Sequence, residues 1–178
     1  MLGRYLEVVK GFLKSFGKPL EVCDLGCGDF NIGKELLPFT KKYNAVDIVP
    51  DLIAHLKEKF KASHLEFHCL DLALHNFPAT DLAIVRQVLQ HLSNAEIQKI
   101  LPKLRIFKYV LLTEHVPEGH FIPNKDIISG QGTRLKKESG VNLLAAPFHF
   151  KVKTAQVLAS VRPKESRGVI VTTLYTMF

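Results

Sequence analysis

Three aspartates close three short apolar runs, and their placement is the first chemical signal. Asp24 lies in Glu21-Val-Cys-Asp-Leu-Gly26-Cys27-Gly28-Asp29-Phe30, Asp47 follows 19 residues after Gly28, and Asp71 ends the next run. Glycines after a buried strand let the backbone turn sharply and approach a ligand. A helix that opens there adds free N–H groups and a positive dipole end. An acid at the end of the second strand accepts ribose hydroxyls. One at the end of the third can reach an adenine amino group, and Asp24 is placed for an ammonium group. Taken singly, Asp47 and Asp71 read as turn or cap residues. Acids at three successive strand ends point to a nucleoside pocket.

Two cofactor classes fit such a pocket. A dinucleotide site wants Gly-x-Gly-x-x-Gly, but Asn31 stands at the third position and the next glycine is Gly33. That weakens a nicotinamide dehydrogenase reading. S-adenosylmethionine carries no phosphate and has an ammonium group for Asp24 to face. Candidate general bases follow the fourth and fifth apolar runs: His91 and the pair Glu114-His115. His91 also reads as a cap for the helix that opens near Ser93. Cys27 reads as a thiol activated by a helix N-terminus or, more simply, as a small residue filling the turn. Cys23 and Cys69 read as core strand residues. His64, Glu66 and His68 alternate on one strand, which reads as a polar face rather than a metal site.

The elements that must hold these residues follow from periodicity. Leu2, Tyr5, Leu6, Val9, Phe12, Leu13 and Phe16 form a helical stripe ended by Gly17-Lys18-Pro19. Strands are expected at 20–25, 43–48, 65–70, 81–85 and 109–113. Helices are expected at 31–39 with Asn31 as N-cap, at 50–61 with Pro50 in the first turn, and at 94–104 with an early end or kink at Pro102. Strands alternating with helices predict a parallel sheet covered on both faces, joined by right-handed crossovers. Residues 114–147 break the pattern, as a functional lid or a disordered loop does. Two β-rich stretches, around 149–161 and 168–178, then form an antiparallel hairpin. A single domain over residues 1–178 is expected, with an N-terminal helix over 1–17.

Composition bounds the function. The chain has 178 residues, 47% hydrophobic and 23% charged, which excludes disorder as the main state. No apolar run reaches the ~18–20 residues of a membrane span, and the N-terminal stretch lacks a signal peptide's apolar core. A soluble, cytoplasmic chain without membrane partners is expected. Three cysteines make no disulfide framework. The net charge of +7 resides wholly in residues 103–178, where 12 Lys+Arg meet 5 Asp+Glu. Such an excess suits an anionic partner or a solvated basic surface.

Asp-Leu-Gly-Cys-Gly, Asp47, Asp71 and the segment Asp81–Leu92 (DLAIVRQVLQHL) together resemble the class I S-adenosylmethionine-dependent methyltransferases, over roughly residues 20–115. GCGDFNIG, VDIVPDLI, Asn124-Lys-Asp-Ile and Ala146-Pro-Phe are similar to a group of small bacterial methyltransferases of poorly defined substrate. The resemblance implies a Rossmann-like three-layer α/β/α sandwich with a mostly parallel seven-stranded sheet and an antiparallel C-terminal hairpin. It implies S-adenosyl-L-methionine as cofactor and S-adenosyl-L-homocysteine as product. Asp24 and the backbone of Gly26, Cys27 and Gly28 would hold the methionine part. Asp47 and Ile48 would hold the ribose, and Asp71 with the Leu72 backbone the adenine. Arg86 and Gln87 would lie near the sulfonium. Phe30 departs from the pattern, because many members have a third glycine there. No Asn/Asp-Pro-Pro-aromatic segment follows the fourth strand, which counts against amino methylation of nucleic acids. A small-molecule acceptor, anionic in keeping with the charge and covered by residues 114–147, is the expectation. An RNA methyltransferase and a non-catalytic cofactor-binding protein are the alternatives.

Overall fold

The computed structural model describes residues 2–178. Its strands are β1 (Glu21–Leu25), β2 (Lys42–Asp47), β3 (Leu65–Cys69), β4 (Leu82–Arg86), β5 (Tyr109–Val116), β6 (Thr154–Val161) and β7 (Val169–Thr176). They form one seven-stranded sheet in the order β3-β2-β1-β4-β5-β7-β6. The first five pair in parallel, and β7 runs antiparallel between β5 and β6. This is the Rossmann-like architecture the sequence implied. Strand order reverses between β1 and β4, so a crevice opens at their carboxyl ends.

The apolar runs are buried because the sheet is covered on both faces. Val22, Leu82, Ile84 and Leu111 pack beneath α1 (Leu2–Lys14), α2 (Gly33–Leu36) and α3 (Pro50–Lys59). Helix α1 gives Tyr5, Val9 and Leu13 to that layer. On the other face Cys23, Leu25, Ala83, Val85, Val110 and Leu112 meet Ile97, Ile100, Leu101 and Leu104 of α4 (Asn94–Leu104). Val141, Leu143 and Phe150 join the same core.

Local expectations change in four places. Asn31 caps no helix: its side chain and N–H turn back to Asp29, and α2 begins only at Gly33. Pro102 does not stop α4, because it lies in the last turn, where its missing N–H costs a single hydrogen bond. The helix at 50 ends at Lys59. Cys69 is exposed, since it ends β3, which pairs only with β2. His68 and Glu66 on that strand meet Asn44 and Lys42. At the opposite sheet edge, β6 carries a register shift between Val157 and Ala159.

Strand β5 runs on to Val116, beyond the expected end at 113, and residues 117–147 form a compact layer held by side chains rather than by periodic structure. Arg134 is 1% exposed and sits in the 3-10 turn Arg134–Lys137. Its guanidinium donates to the carbonyls of Lys125, Leu89, Gln90 and Leu92 and to Asn94 Oδ1. Buried Asn124 donates to the Asn142 and Ala146 carbonyls and accepts from Asn142 N–H. Among the described residues no helix is long and apolar enough to cross a membrane.

Replacing Arg134 would leave several buried carbonyls unpaired, each worth about 1–3 kcal/mol. Arg134→Met is expected to lose at least about 3 kcal/mol of stability in urea unfolding. Arg134→Lys should recover little, because an ammonium cannot reproduce the planar fork.

Candidate functional site

The turn after β1 is set by three backbone conformations and one ring. Gly26 and Gly28 have φ of 88° and 54°, and Phe30 has 63°. Left-handed backbone is costly for a side-chain-bearing residue, by about 1–2 kcal/mol. Phe30 offsets that cost by complete burial, with ring edges on Tyr43, Phe60 and Phe67. Gly33 makes room for it, because a Cβ there would overlap the Phe30 ring. Thus a glycine displaced by two positions from the dinucleotide fingerprint accommodates an aromatic plug.

Asp47 locks the turn to β2. Its Oδ2 accepts the Gly28 N–H at 3.1 Å and its Oδ1 accepts the Val49 N–H at 3.2 Å. The Gly26 and Cys27 N–H groups donate to the Val46 carbonyl at 2.8 and 2.9 Å. Asp71 Oδ1 accepts from Ala73 and Leu74 N–H, a turn role that coexists with its place in the crevice. Asp24 is buried and accepts from the Tyr43 hydroxyl at 2.8 Å. Burial pushes its carboxyl up to about 6, against the opposing pull of that hydroxyl and of Arg86. Burial also pushes the Cys27 thiol far up, so it is no activated nucleophile.

Two adjoining cavities lie along the strand ends. One, of about 290 Å³, is bounded by Asp47, Ile48, Asp71, Leu72, Ala73 and Val88. The other, of about 280 Å³, is bounded by Tyr5, Asp24, Cys27, Gly28, Asp29 and Gln90. Gly26, Arg86, Gln87 and His91 belong to both. Every cofactor-site residue expected from the sequence therefore lines one crevice. Arg86 lies over the Tyr5 ring, and its buried Nε has no partner. Gln87 holds a left-handed φ of 54°, with its N–H on the Thr113 carbonyl.

The two histidines separate. His91 Nδ1 lies 3.0 Å from the Gly132 carbonyl. A carbonyl only accepts, so Nδ1 carries the proton and Nε2 keeps its lone pair in the neutral ring. Gln90 Nε2 lies 3.3 Å from that Nε2, while Gln90 Oε1 accepts the His115 N–H. His115 lines neither cavity; its Nε2 is tied to the Arg167 carbonyl at 2.7 Å. Helix α4 is capped by Ser93 and Glu96, not by His91.

Sequence reasoning overlooked Tyr5, Tyr43, Gln90 and Glu96. Tyr5 and Tyr43 read as core aromatics; only once α1 and β2 pack does the Tyr43 hydroxyl reach Asp24 and the Tyr5 ring lie against the Arg86 guanidinium. Glu114, a candidate base by sequence, is 3% exposed and accepts the Leu89 N–H at 3.1 Å. It thereby holds the start of the 3-10 turn Leu89–His91.

A family description for the methyltransferase domain matches residues 22–106. An uncharacterized RNA methyltransferase of Chlamydia pneumoniae is 27% identical over 158 residues, covering 83% of this chain but 38% of that protein. The chain thus spans less than two-fifths of that relative's length. Among solved structures, the N-methyltransferase NodS of Bradyrhizobium japonicum bound to S-adenosylhomocysteine superposes with a TM-score of 0.69. It is 12% identical and the match covers 98% of this chain and 86% of that one. The Burkholderia thailandensis 1,6-didemethyltoxoflavin-N1-methyltransferase superposes with a TM-score of 0.64 at 19% identity, covering 97% and 78%. Residues 22–106, a little under half of the chain, thus match a methyltransferase-domain family, and the chain as a whole shares the fold of solved methyltransferases.

Burial moves the Glu114 carboxyl from its ordinary 4.5 to about 8. Between those values the folded state keeps a proton that the unfolded chain has lost, so stability falls as pH rises across the window. Asp24 acts in the same sense between 3.8 and about 6. Glu114→Gln removes only the first contribution. Its stability relative to the parent, from urea unfolding at successive pH, is expected to rise from pH 4.5 to 8 and then level off.

Proposed function

We propose that this chain transfers the methyl group of S-adenosylmethionine to a small-molecule acceptor. The observation that carries the reading is the junction of the two cavities at Gly26, Arg86, Gln87 and His91. One half is bounded by Asp47, Asp71 and the apolar Ile48, Leu72 and Val88, and it suits an adenosine. The other brings a buried carboxylate and a guanidinium together, which suits the ammonium and carboxylate of an amino acid. The cofactor supplies an already activated methyl group, so the residues here mainly bind, orient and exclude water.

In this reading Asp47 accepts the ribose hydroxyls with the faces of its carboxylate not spent on Gly28 and Val49. Asp24 balances the ammonium, and the backbone of Gly26, Cys27 and Gly28 lies along the methionine chain. Asp71 and the Leu72 backbone face the adenine. Arg86 and Gln87 border the reacting centre. His91 Nε2, once the Gln90 amide N–H leaves its lone pair, takes the acceptor's proton where the acceptor is a poor nucleophile. His115 has no role in this scheme.

An RNA acceptor is the second reading. It is supported by the Chlamydia relative's name and by the basic C-terminal two-fifths of the chain. Binding to RNA with a steep dependence on salt would favour it.

Two measurements test the proposal. Asp47→Ala is expected to raise the calorimetric Kd for S-adenosylhomocysteine at least about tenfold; unchanged affinity would sink the ribose assignment. His91→Gln should leave that Kd within about twofold while lowering kcat by roughly 10²-fold or more on an acceptor that must lose a proton. An equal effect on Kd would make His91 a cofactor ligand instead.

A further inference from the structure

Gln90 is buried between the two histidines and lines the half of the crevice that holds Asp24 and Arg86. Its Oε1 accepts the backbone N–H of His115 at 2.8 Å. A backbone amide only donates, so this contact fixes which end of the carboxamide points which way. The NH2 end then faces His91 Nε2 at 3.3 Å, and it too only donates. On its other side, His91 Nδ1 lies 3.0 Å from the Gly132 carbonyl. The hydrogen bonds thus run in one direction, from the β5 backbone through Gln90 and His91 to Gly132. They admit one state of the imidazole, neutral with its proton on Nδ1. A proton on Nε2 would set two donors against each other. Gln90 cannot turn its oxygen toward His91 without leaving the His115 N–H against an NH2 group.

We propose that Gln90 is a positioning residue, whose carboxamide keeps His91 neutral and occupies its Nε2 lone pair while no acceptor is bound. Its bearing on catalysis rests on the methyl-transfer reading, in which His91 is the base. The hold on Nε2 itself can be read without any acceptor. Both residues belong to the turn Leu89–His91, and the contact that orients the carboxamide comes from another strand. The lone pair is therefore governed by the packing of β5 against this turn, not by the histidine alone.

The test uses the full chain and diethyl pyrocarbonate, which acylates the bare nitrogen of a neutral imidazole. The rate at His91 is followed near neutral pH by mass spectrometry of its peptide, relative to exposed His55. Gln90→Leu frees Nε2 and is expected to speed modification of His91 about fivefold, the factor that one neutral hydrogen bond allows. Gln90→Glu keeps an oxygen for the His115 N–H but presents another to Nε2, which favours a proton there. It should slow modification below the parent's rate. A side chain that merely filled space would move both variants the same way. Nitrogen NMR of the parent with isotope-labelled histidines, with His91 assigned by its loss in His91→Gln, should show a protonated Nδ1 and a bare Nε2. Rates that change alike in both variants, or a parent ring with its proton on Nε2, overturn the proposal; the spectrum decides if neither variant folds. Opposite changes in the two variants, with kcat intact in His91→Gln, would sink the base and leave the hold of Gln90 standing.

Discussion

A buried guanidinium with no carboxylate bonded to it organises the wall of the crevice. Arg134 reaches from the segment after β5 to the carbonyls at the end of the Leu89–His91 turn. Glu114 holds the N–H at the start of the same turn. A guanidinium that donates at the carbonyl end and a carboxyl oxygen that accepts at the amide end satisfy both ends of the turn. Between them hangs the short piece of chain that carries Gln90 and His91 into the crevice. A three-residue turn cannot hold its own geometry in water. Here it is fixed from both ends by side chains belonging to other elements.

The same logic governs the turn after β1. Its glycines permit the bend, but Asp47 and the Val46 carbonyl fix its shape. Phe30 then anchors it from below, in a backbone conformation that only its burial makes tolerable. Asp47 is spent on two backbone N–H groups, which hold its carboxylate in one orientation at the mouth of the crevice.

The sheet and its crevice were legible because they rest on local signals: apolar runs, glycines after a strand, acids at strand ends. Asp24, Asp47 and Asp71 meet at the crevice to which their places at strand ends pointed, His91 lies with them, and Arg86 joins them as the family resemblance implied. His115 does not, because one residue along a strand changes the face, and a neighbouring hairpin supplied a carbonyl to bind it. Residues 114–147 were opaque for a different reason. Their order comes from Asn124, Arg134 and Ser139 bonding to backbone far along the chain. Such bonds leave no periodicity to read. Asn31 misled because an Asx-type contact with Asp29 competed with capping.

The sheet ends in two open strands, and each is unfit for extension. On β3, Glu66 and His68 are engaged with Lys42 and Asn44 of the neighbouring strand, and they set polar, ionisable groups along the rim. On β6 the shift between Val157 and Ala159 breaks the regular row of amides and carbonyls that another chain would need as a template. A protein whose site requires a wide parallel sheet must also keep that sheet from growing. Here one strand does so with polar side chains and the other with a fault in its own register.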